Sequence, residues 1–273
     1  MKKIITLLLL LSAFITNAQR TMFSGQNSYV RQIVPAVTTD DNPITNNLIL
    51  YLDATSLISY IGSGTTWNDL STQNNNATFT SAPTYSTSPG RFTFSSASYA
   101  STISTTINLT TATFIAWIKP SQTQTNYTGI IYLPISPTDP SYYRSGMQLR
   151  TNNSVGYTWG SNGASTYNWD SQLYAPNNQW SMIAISVSAN STIAYLCKED
   201  GTITSATNID TQAPIAGQKF YIGRDPILYS SSEADLRTFK GNISKALVYS
   251  SALSQSDITS IFNAQKGKYG IIN

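Results

Sequence analysis

Histidine is absent from all 273 residues, and its absence removes a broad range of chemistry. Without an imidazole there is no Ser-His-Asp triad, no histidine general base and no histidine-based metal site. Cysteine occurs once, at Cys197, which excludes a disulfide within the chain and a cysteine zinc cluster. A lone cysteine in a strand-like segment reads as a small buried hydrophobe. Charge is scarce as well: Asp, Glu, Lys and Arg make up 11% of the chain, against about 25% in an average soluble protein. The formal net charge is +3, with no basic run beyond Lys2-Lys3, so the electrostatic footprint of nucleic-acid binding is missing. No phosphate-cradling or dinucleotide-binding glycine loop is visible.

Long apolar runs are also lacking outside the N-terminus. Lys2 and Lys3 precede the stretch Ile4 to Ile15, which is interrupted by Thr6 and Ser12, and Thr16-Asn17-Ala18 offers small residues before Gln19. That order is the pattern of a secretory signal peptide over 1–18. The run is short of the roughly 20 apolar residues a spanning helix needs. A secreted, extracellular or cell-surface protein is therefore expected, with no membrane span. No cysteine stands at the cleavage site, which argues against a lipoprotein anchor. Residues 19–47, polar and carrying Pro35 and Pro43, read as a linker or a loosely docked N-terminal arm. The folded domain is expected over 48–273.

What fills the space left by charge is Ser, Thr, Asn, Gln and 17 tyrosines, a composition suited to strand faces and turns. Leu48 to Asp53 is a continuous apolar run ending on an acid, as a buried strand should be. Thr113 to Lys119 is followed by Pro120. Trp180 to Ser188 alternates, with Met182, Ala184 and Ser186 on one face and Ile183, Ile185 and Val187 on the other. Thr192 to Lys198 pairs with Thr202 to Ala206 across Glu199-Asp200-Gly201, a strong hairpin signal. Further short strands fall at Arg91–Phe94, Gly129–Leu133, Met147–Arg150, Val155–Trp159, Phe220–Ile222 and Ile243–Tyr249. Many short strands at this spacing predict an all-β sandwich or barrel. One helix is expected after Ser254, an N-cap with Asp257 three residues on. Ile258, Ile261 and Phe262 share one face of it and Gly267 ends it.

Several of these segments occur in a familiar order. Leu48-Ile-Leu-Tyr-Leu-Asp53, Gly64-Thr-Thr-Trp67-Asn-Asp69-Leu-Ser71 and Asn74-Asn75-Asn76 open the series. Phe114-Ile-Ala-Trp117-Ile-Lys-Pro120, Trp180-Ser-Met-Ile-Ala184 and Phe239-Lys-Gly241 through Tyr249 follow, then Ala252-Leu253-Ser254 and the helix. Together they resemble the laminin-G-like jelly-roll domains of the concanavalin-A-like lectin/glucanase superfamily, over roughly Leu48 to Gly270. The resemblance implies a jelly roll of two packed antiparallel sheets, with recurrent roles in glycan binding, adhesion and attachment, usually without catalysis.

The same superfamily includes laminarinase-type glycosidases, which cluster acids on one strand face in an E-x-D-x-x-E pattern. This chain has two glutamates, Glu199 in the Asp-Gly turn and Glu233 in a Ser-rich loop, and neither belongs to that pattern. Asp139, Asp170, Asp225 and Asp235 also fall in expected loops. No catalytic residue is assigned, and a non-catalytic module is expected. A glycan or a cell-surface ligand is its expected partner. A structural or adhesive surface component and an aspartate-based glycosidase are the alternatives.

Aromatic rings suit stacking on sugars, and Trp67, Trp117 and Trp180 read as core. The ligand-binding candidates are Tyr142, Tyr143, Tyr157, Trp159, Tyr167, Trp169 and Tyr174, because rings spaced by Gly160, Asn162, Gly163 and Asn168 look like a loop surface. Asp53 and Asp69, the latter near Asn74–Asn76, are candidate ligands for a structural calcium, which takes six to eight oxygens. Otherwise Asp53 ends a strand and Asp69 makes a local turn.

Overall fold

The computed structural model describes residues 41–95, 98–103, 106–134, 144–160, 165–226 and 236–272. Residues 1–40, which include the expected signal peptide, lie outside them, as do Tyr142 and Tyr143. Two large antiparallel sheets and one short C-terminal helix form the jelly-roll sandwich that the family resemblance implies, and not a barrel.

The first sheet has the spatial order Ile203–Ile209, Ser191–Lys198, Ser181–Val187, Ala112–Pro120, Gly241–Tyr249, Gly90–Phe94 and Thr84–Thr87, with Leu48–Asp53 also paired to Gly241–Tyr249. Its centre is buried on both faces, which explains why Thr113 to Lys119 reads as a nearly continuous apolar run. The alternation in Ser181–Val187 sorts the two sides: Ile183, Ile185 and Val187 point between the sheets, while Met182 and Ala184 point outward beneath the helix. The expected hairpin is present, with Leu196 opposite Thr204 and Gly201 left-handed at φ 82° in its turn.

The helix, Gln255–Gln265, starts in a capping box: Ser254 Oγ accepts from the Asp257 backbone N–H at 3.2 Å, and Asp257 Oδ2 accepts from the Ser254 N–H at 2.9 Å. It does not end at Gly267. A 3-10 turn over Lys266–Tyr269 carries the chain on, and Gly270 takes the left-handed position at φ 76°. Ile258, Ile261 and Phe262 dock on the outer face of the first sheet. There Trp117 stacks between Phe262 and Tyr269, and its indole N–H donates to Gln265 Oε1 at 2.6 Å. A helix of eleven residues is marginal alone in water, so this apolar seat is what holds it. Cys197 is buried in the same layer, and burial pushes its thiol up to about 12.

Residues 41–47, expected to belong to a linker or loose arm, are held against the domain. Tyr249 Oη donates to Asn42 Oδ1 at 3.0 Å, and Lys245 Nζ pairs with Asp41 at 2.9 Å. The second sheet runs Trp169–Tyr174, Ser154–Thr158, Arg144–Leu149, Thr128–Pro134, Tyr221–Ile222, Ala100–Thr102, Ala77–Phe79 and Thr66–Trp67. Its inner residues meet those of the first sheet in one apolar core. Among the described residues no helix is long and apolar enough to cross a membrane.

Candidate functional site

The strand register of the second sheet decides which side chains stand on its outer side. Ile131, Met147, Tyr157 and Trp169 are opposite one another across four strands and all face the core. The alternate rows therefore face outward. One is Ser101, Tyr221, Tyr132, Gly146 and Thr158. The next is Gly129, Gln148, Gly156 and Asp170.

On this outer face the side chains form a connected polar layer. Tyr132 Oη donates to Gln148 Oε1 at 2.5 Å, Gln148 Nε2 donates to Asn168 Oδ1 at 3.4 Å, and Thr158 Oγ1 donates to the same oxygen at 3.0 Å. Asn168 has φ 57°, a left-handed conformation that Asn tolerates better than most residues. Two glycines let other groups lie directly on the sheet. A Cβ on Gly129 would fall 2.1 Å from the Asp225 nitrogen, and one on Gly156 would fall 2.7 Å from Arg150 Cγ.

Tyrosines and cations interleave above that layer. Tyr127 lies against two guanidinium groups, Arg150 at 4.7 Å and Arg237 at 4.8 Å from its ring centre. Its backbone is left-handed, φ 66°, an uncommon and costly state for a bulky residue. Arg237 Nη1 is 2.7 Å from Asp225 Oδ2. Arg224 sits over Tyr99 at 5.1 Å, Lys219 over Tyr221 at 5.2 Å, and the two rings are 5.7 Å apart. All of these cations and rings are half-buried.

The aromatic residues singled out by sequence are distributed differently. Tyr157 and Trp159 are each only 1% exposed and belong to the core between the sheets, a correction to their expected place on a loop surface. The reason is alternation: Val155, Tyr157 and Trp159 are two residues apart and turn inward together, while Gly156 and Thr158 face out. Their polar ends are satisfied internally, Trp159 Nε1 donating to the Ala213 carbonyl at 2.6 Å and Asn208 Nδ2 donating to Tyr157 Oη at 2.9 Å. Burial raises the Tyr157 phenol above its ordinary value. Trp169 is half-buried against the same core, and Tyr167 is half-buried beside Asn168. Tyr174 is exposed on the edge strand and donates its hydroxyl to Gln172. The described members of this set make no flat platform together. Tyr99, Tyr127, Arg150, Arg224 and Arg237 were missed, because a ring over an arginine from another strand has no signature in local spacing.

The two calcium candidates do not fit a cation. Asp69 Oδ1 accepts from the Tyr51 and Ser71 N–H groups at 2.7 and 2.9 Å, and its Oδ2 accepts from the Asn75 N–H at 2.8 Å and from Ser71 Oγ at 2.6 Å. Asp53 Oδ1 accepts from the Thr55 N–H and hydroxyl at 2.7 and 2.6 Å, and Oδ2 pairs with Lys245. Four donors surround one carboxylate and a buried ammonium sits against the other, where a metal would need oxygens. Among the described residues no three His, Cys, Asp or Glu side chains gather into a metal site.

A sandwich of two antiparallel sheets, one of them covered by a C-terminal helix, defines the class of protein. The chain belongs to the concanavalin A-like lectin/glucanases superfamily, whose laminin-G-type family model matches residues 94–259. No curated protein sequence matches it. Among solved structures, domain 4 of AbnA, a GH43 extracellular arabinanase from Geobacillus stearothermophilus in complex with arabinotriose, is similar at 17% identity. Its TM-score is 0.52, and the match covers 80% of this chain and 99% of that one. Trypanosoma rangeli sialidase with the inhibitor DANA is similar at 12% identity and TM-score 0.53, covering 79% of this chain and 32% of the sialidase. The binding domain of botulinum neurotoxin DC in complex with SialylT is similar at 15% identity and TM-score 0.50, covering 81% of this chain and 52% of that one. At such identities the likeness is one of fold.

Proposed function

We propose that this domain is an exported, non-catalytic carbohydrate-binding module whose second sheet presents its outer face to a glycan. The observation that carries the reading is the tyrosine–arginine layer on that face, with Tyr127 between two guanidinium groups and Tyr99 beneath a third. Half-buried rings offer flat apolar surface to sugar C–H groups, and neighbouring guanidinium and amide groups meet hydroxyls. The fold relationship supports the reading, since domain 4 of AbnA was solved with arabinotriose. Export is supported by the basic and apolar order of residues 2–18.

The acids described on this face, Asp170 and Asp225, favour binding over hydrolysis. Asp170 stands in the row that begins at Gly129, and the Arg224–Asp225 backbone crosses above Gly129. Their backbones are three strand spacings apart, about 14 Å, and each carboxylate is held by its own partners, Asp170 by Ser154 and the Gln172 N–H. Asp225 is also neutralised by Arg237. The test is retention of the full chain in polysaccharide-containing native gels and on glycan arrays, with Tyr99→Ala and Tyr127→Ala as probes. Retention that the probes abolish supports the reading, and no retention by any polysaccharide rejects it.

An adhesive surface component without sugar binding is a second reading. Its support is the loop after Leu48–Asp53, where Leu57, Ile58 and Ile61 are all more than half exposed. Cell attachment unaffected by soluble sugars and lost on Ile58→Ser/Ile61→Ser would select it.

A further inference from the structure

Two arginines on the proposed face lack the acidic partner that buried guanidinium groups ordinarily have. Arg237 is balanced by Asp225 at 2.7 Å. Arg150 and Arg224 are not: among the described residues neither forms an ion pair, and each lies against a tyrosine ring instead. Moreover, Arg150 Nε and Nη1 and Arg224 Nε are shut off from solvent and have no hydrogen-bond acceptor. A buried donor on a charged group left unpaired is costly, and such groups in native proteins call for an explanation. Among the described residues the other acid on the face, Asp170, is committed elsewhere: its Oδ1 accepts from Ser154 Oγ and from the Gln172 N–H.

The fold holds both arginines where they are. Arg150 lies across Gly156, where any larger residue would displace it, and the Arg224 backbone lies across Gly129 in the same cross-strand row. Those two glycines are two strand spacings apart, about 10 Å, with Gln148 between them. Two guanidinium groups on one sheet face, each flanked by a ring, suit a chain of sugar rings bearing anionic groups. Guanidinium is planar and presents paired N–H groups, the geometry that carboxylates accept in bidentate fashion.

From this we infer that the glycan taken by the outer face is a carboxylated one, a uronate-containing polysaccharide, with Arg150 and Arg224 as its carboxylate-binding residues. The inference rests on the carbohydrate reading above and narrows it. The experiment compares binding of the full chain to polygalacturonate, to alginate and to the same polymers after chemical reduction of their carboxyls to neutral sugars. Wild type should bind the acidic forms and lose about tenfold or more in affinity on carboxyl reduction. Arg150→Gln and Arg224→Gln should each cause a comparable loss on the acidic polymers. Lys198→Gln, the same change in net charge on the first sheet, should not. Thermal denaturation of each variant separates loss of binding from loss of fold. Equal binding to acidic and reduced polymers would overturn the inference and leave the carbohydrate reading standing. An equal effect of Lys198→Gln would overturn it too, by showing non-specific charge attraction. Binding to sulfated but not carboxylated polymers would assign the arginines to a different anion. Binding to no polysaccharide, acidic or neutral, would remove both readings.

Discussion

Lys245 Nζ lies 2.9 Å from Asp41 Oδ1, a contact between residues 204 positions apart in sequence. The lysine side chain is fully buried, and it also pairs with Asp53, while Lys268 reaches Asp41 at 3.1 Å and Tyr51 Oη donates to it at 2.7 Å. The segment entering the domain is thus fastened to the outside of the first sheet by charge. Removing one partner leaves buried charge uncompensated, so Lys245→Met should cost about 3–5 kcal/mol in chemical denaturation at neutral pH. Burial pushes the Asp41 carboxyl up, but Lys245, Tyr51 and Lys268 outweigh it, so its folded value lies below 3.8. Its contribution is therefore complete above the unfolded value and disappears as pH falls through the folded one. Asp41→Asn should flatten the loss of stability below about pH 4. An unchanged acid limb would show that the pair contributes nothing there.

The Trp117–Tyr269 stack, ring centres 3.8 Å apart, joins the central strand to the turn after the helix. With Phe262 on the other side at 5.7 Å, the helix depends on this seat rather than on its own propensity. Phe262→Ala should destabilise the domain by about 3–5 kcal/mol. It should leave glycan binding unchanged, because the helix lies on the opposite sheet from the proposed face. A loss confined to helix signal, without loss of global stability, would mean that the helix unfolds independently.

Cys197 should be chemically silent in the folded protein. It is fully buried, and desolvation holds the thiol near 12, so almost no thiolate exists at neutral pH and none is accessible. Thiol reagents should label it only under denaturing conditions. Rapid labelling of the native protein would imply local opening of the helix-covered layer.

Trp159→Phe distinguishes a core tryptophan from a ligand platform. The substitution removes the indole N–H that donates to Ala213 and leaves that carbonyl without its partner. It should cost about 1–3 kcal/mol of stability while leaving glycan affinity intact. Loss of affinity at unchanged stability would return Trp159 to the binding surface.

That contrast shows how far the residues alone carry the structure. The helix start was legible because Ser254 and Asp257 make a local, reciprocal hydrogen-bond pattern. The Asp200-Gly201 turn was legible for the same reason, since its geometry depends on adjacent residues. Even the inward turn of Tyr157 and Trp159 was available, because both stand at even spacing from Val155. Gly160 and Asn168 drew attention instead, as loop markers. The outer face could not be read in this way. Arg150, Tyr127, Arg224 and Tyr99 belong to different strands and connections and meet only after the register of the second sheet is set. A cross-strand pair of this kind is a product of topology, and no window along the chain contains it.

Tyr127 offers a test in which backbone strain and ring contact separate. Its φ of 66° is natural for glycine and unfavourable for any residue with a Cβ, by roughly 1–2 kcal/mol. Tyr127→Ala removes the ring that lies against Arg150 and Arg237 but keeps the unfavourable backbone. Tyr127→Gly removes the ring and relieves the backbone. If the ring is there to meet ligand, both variants should lose about tenfold in glycan affinity, and the glycine variant should be the more stable of the two by about 1 kcal/mol. If Tyr127 instead only fills space between the arginines, the two variants should be destabilised in that same order while affinity stays at the wild-type level. The strain is retained in the native chain although glycine would relieve it, so the ring must supply something that glycine cannot. Affinity measured on both variants decides whether that is contact with a sugar or the spacing of two guanidinium groups.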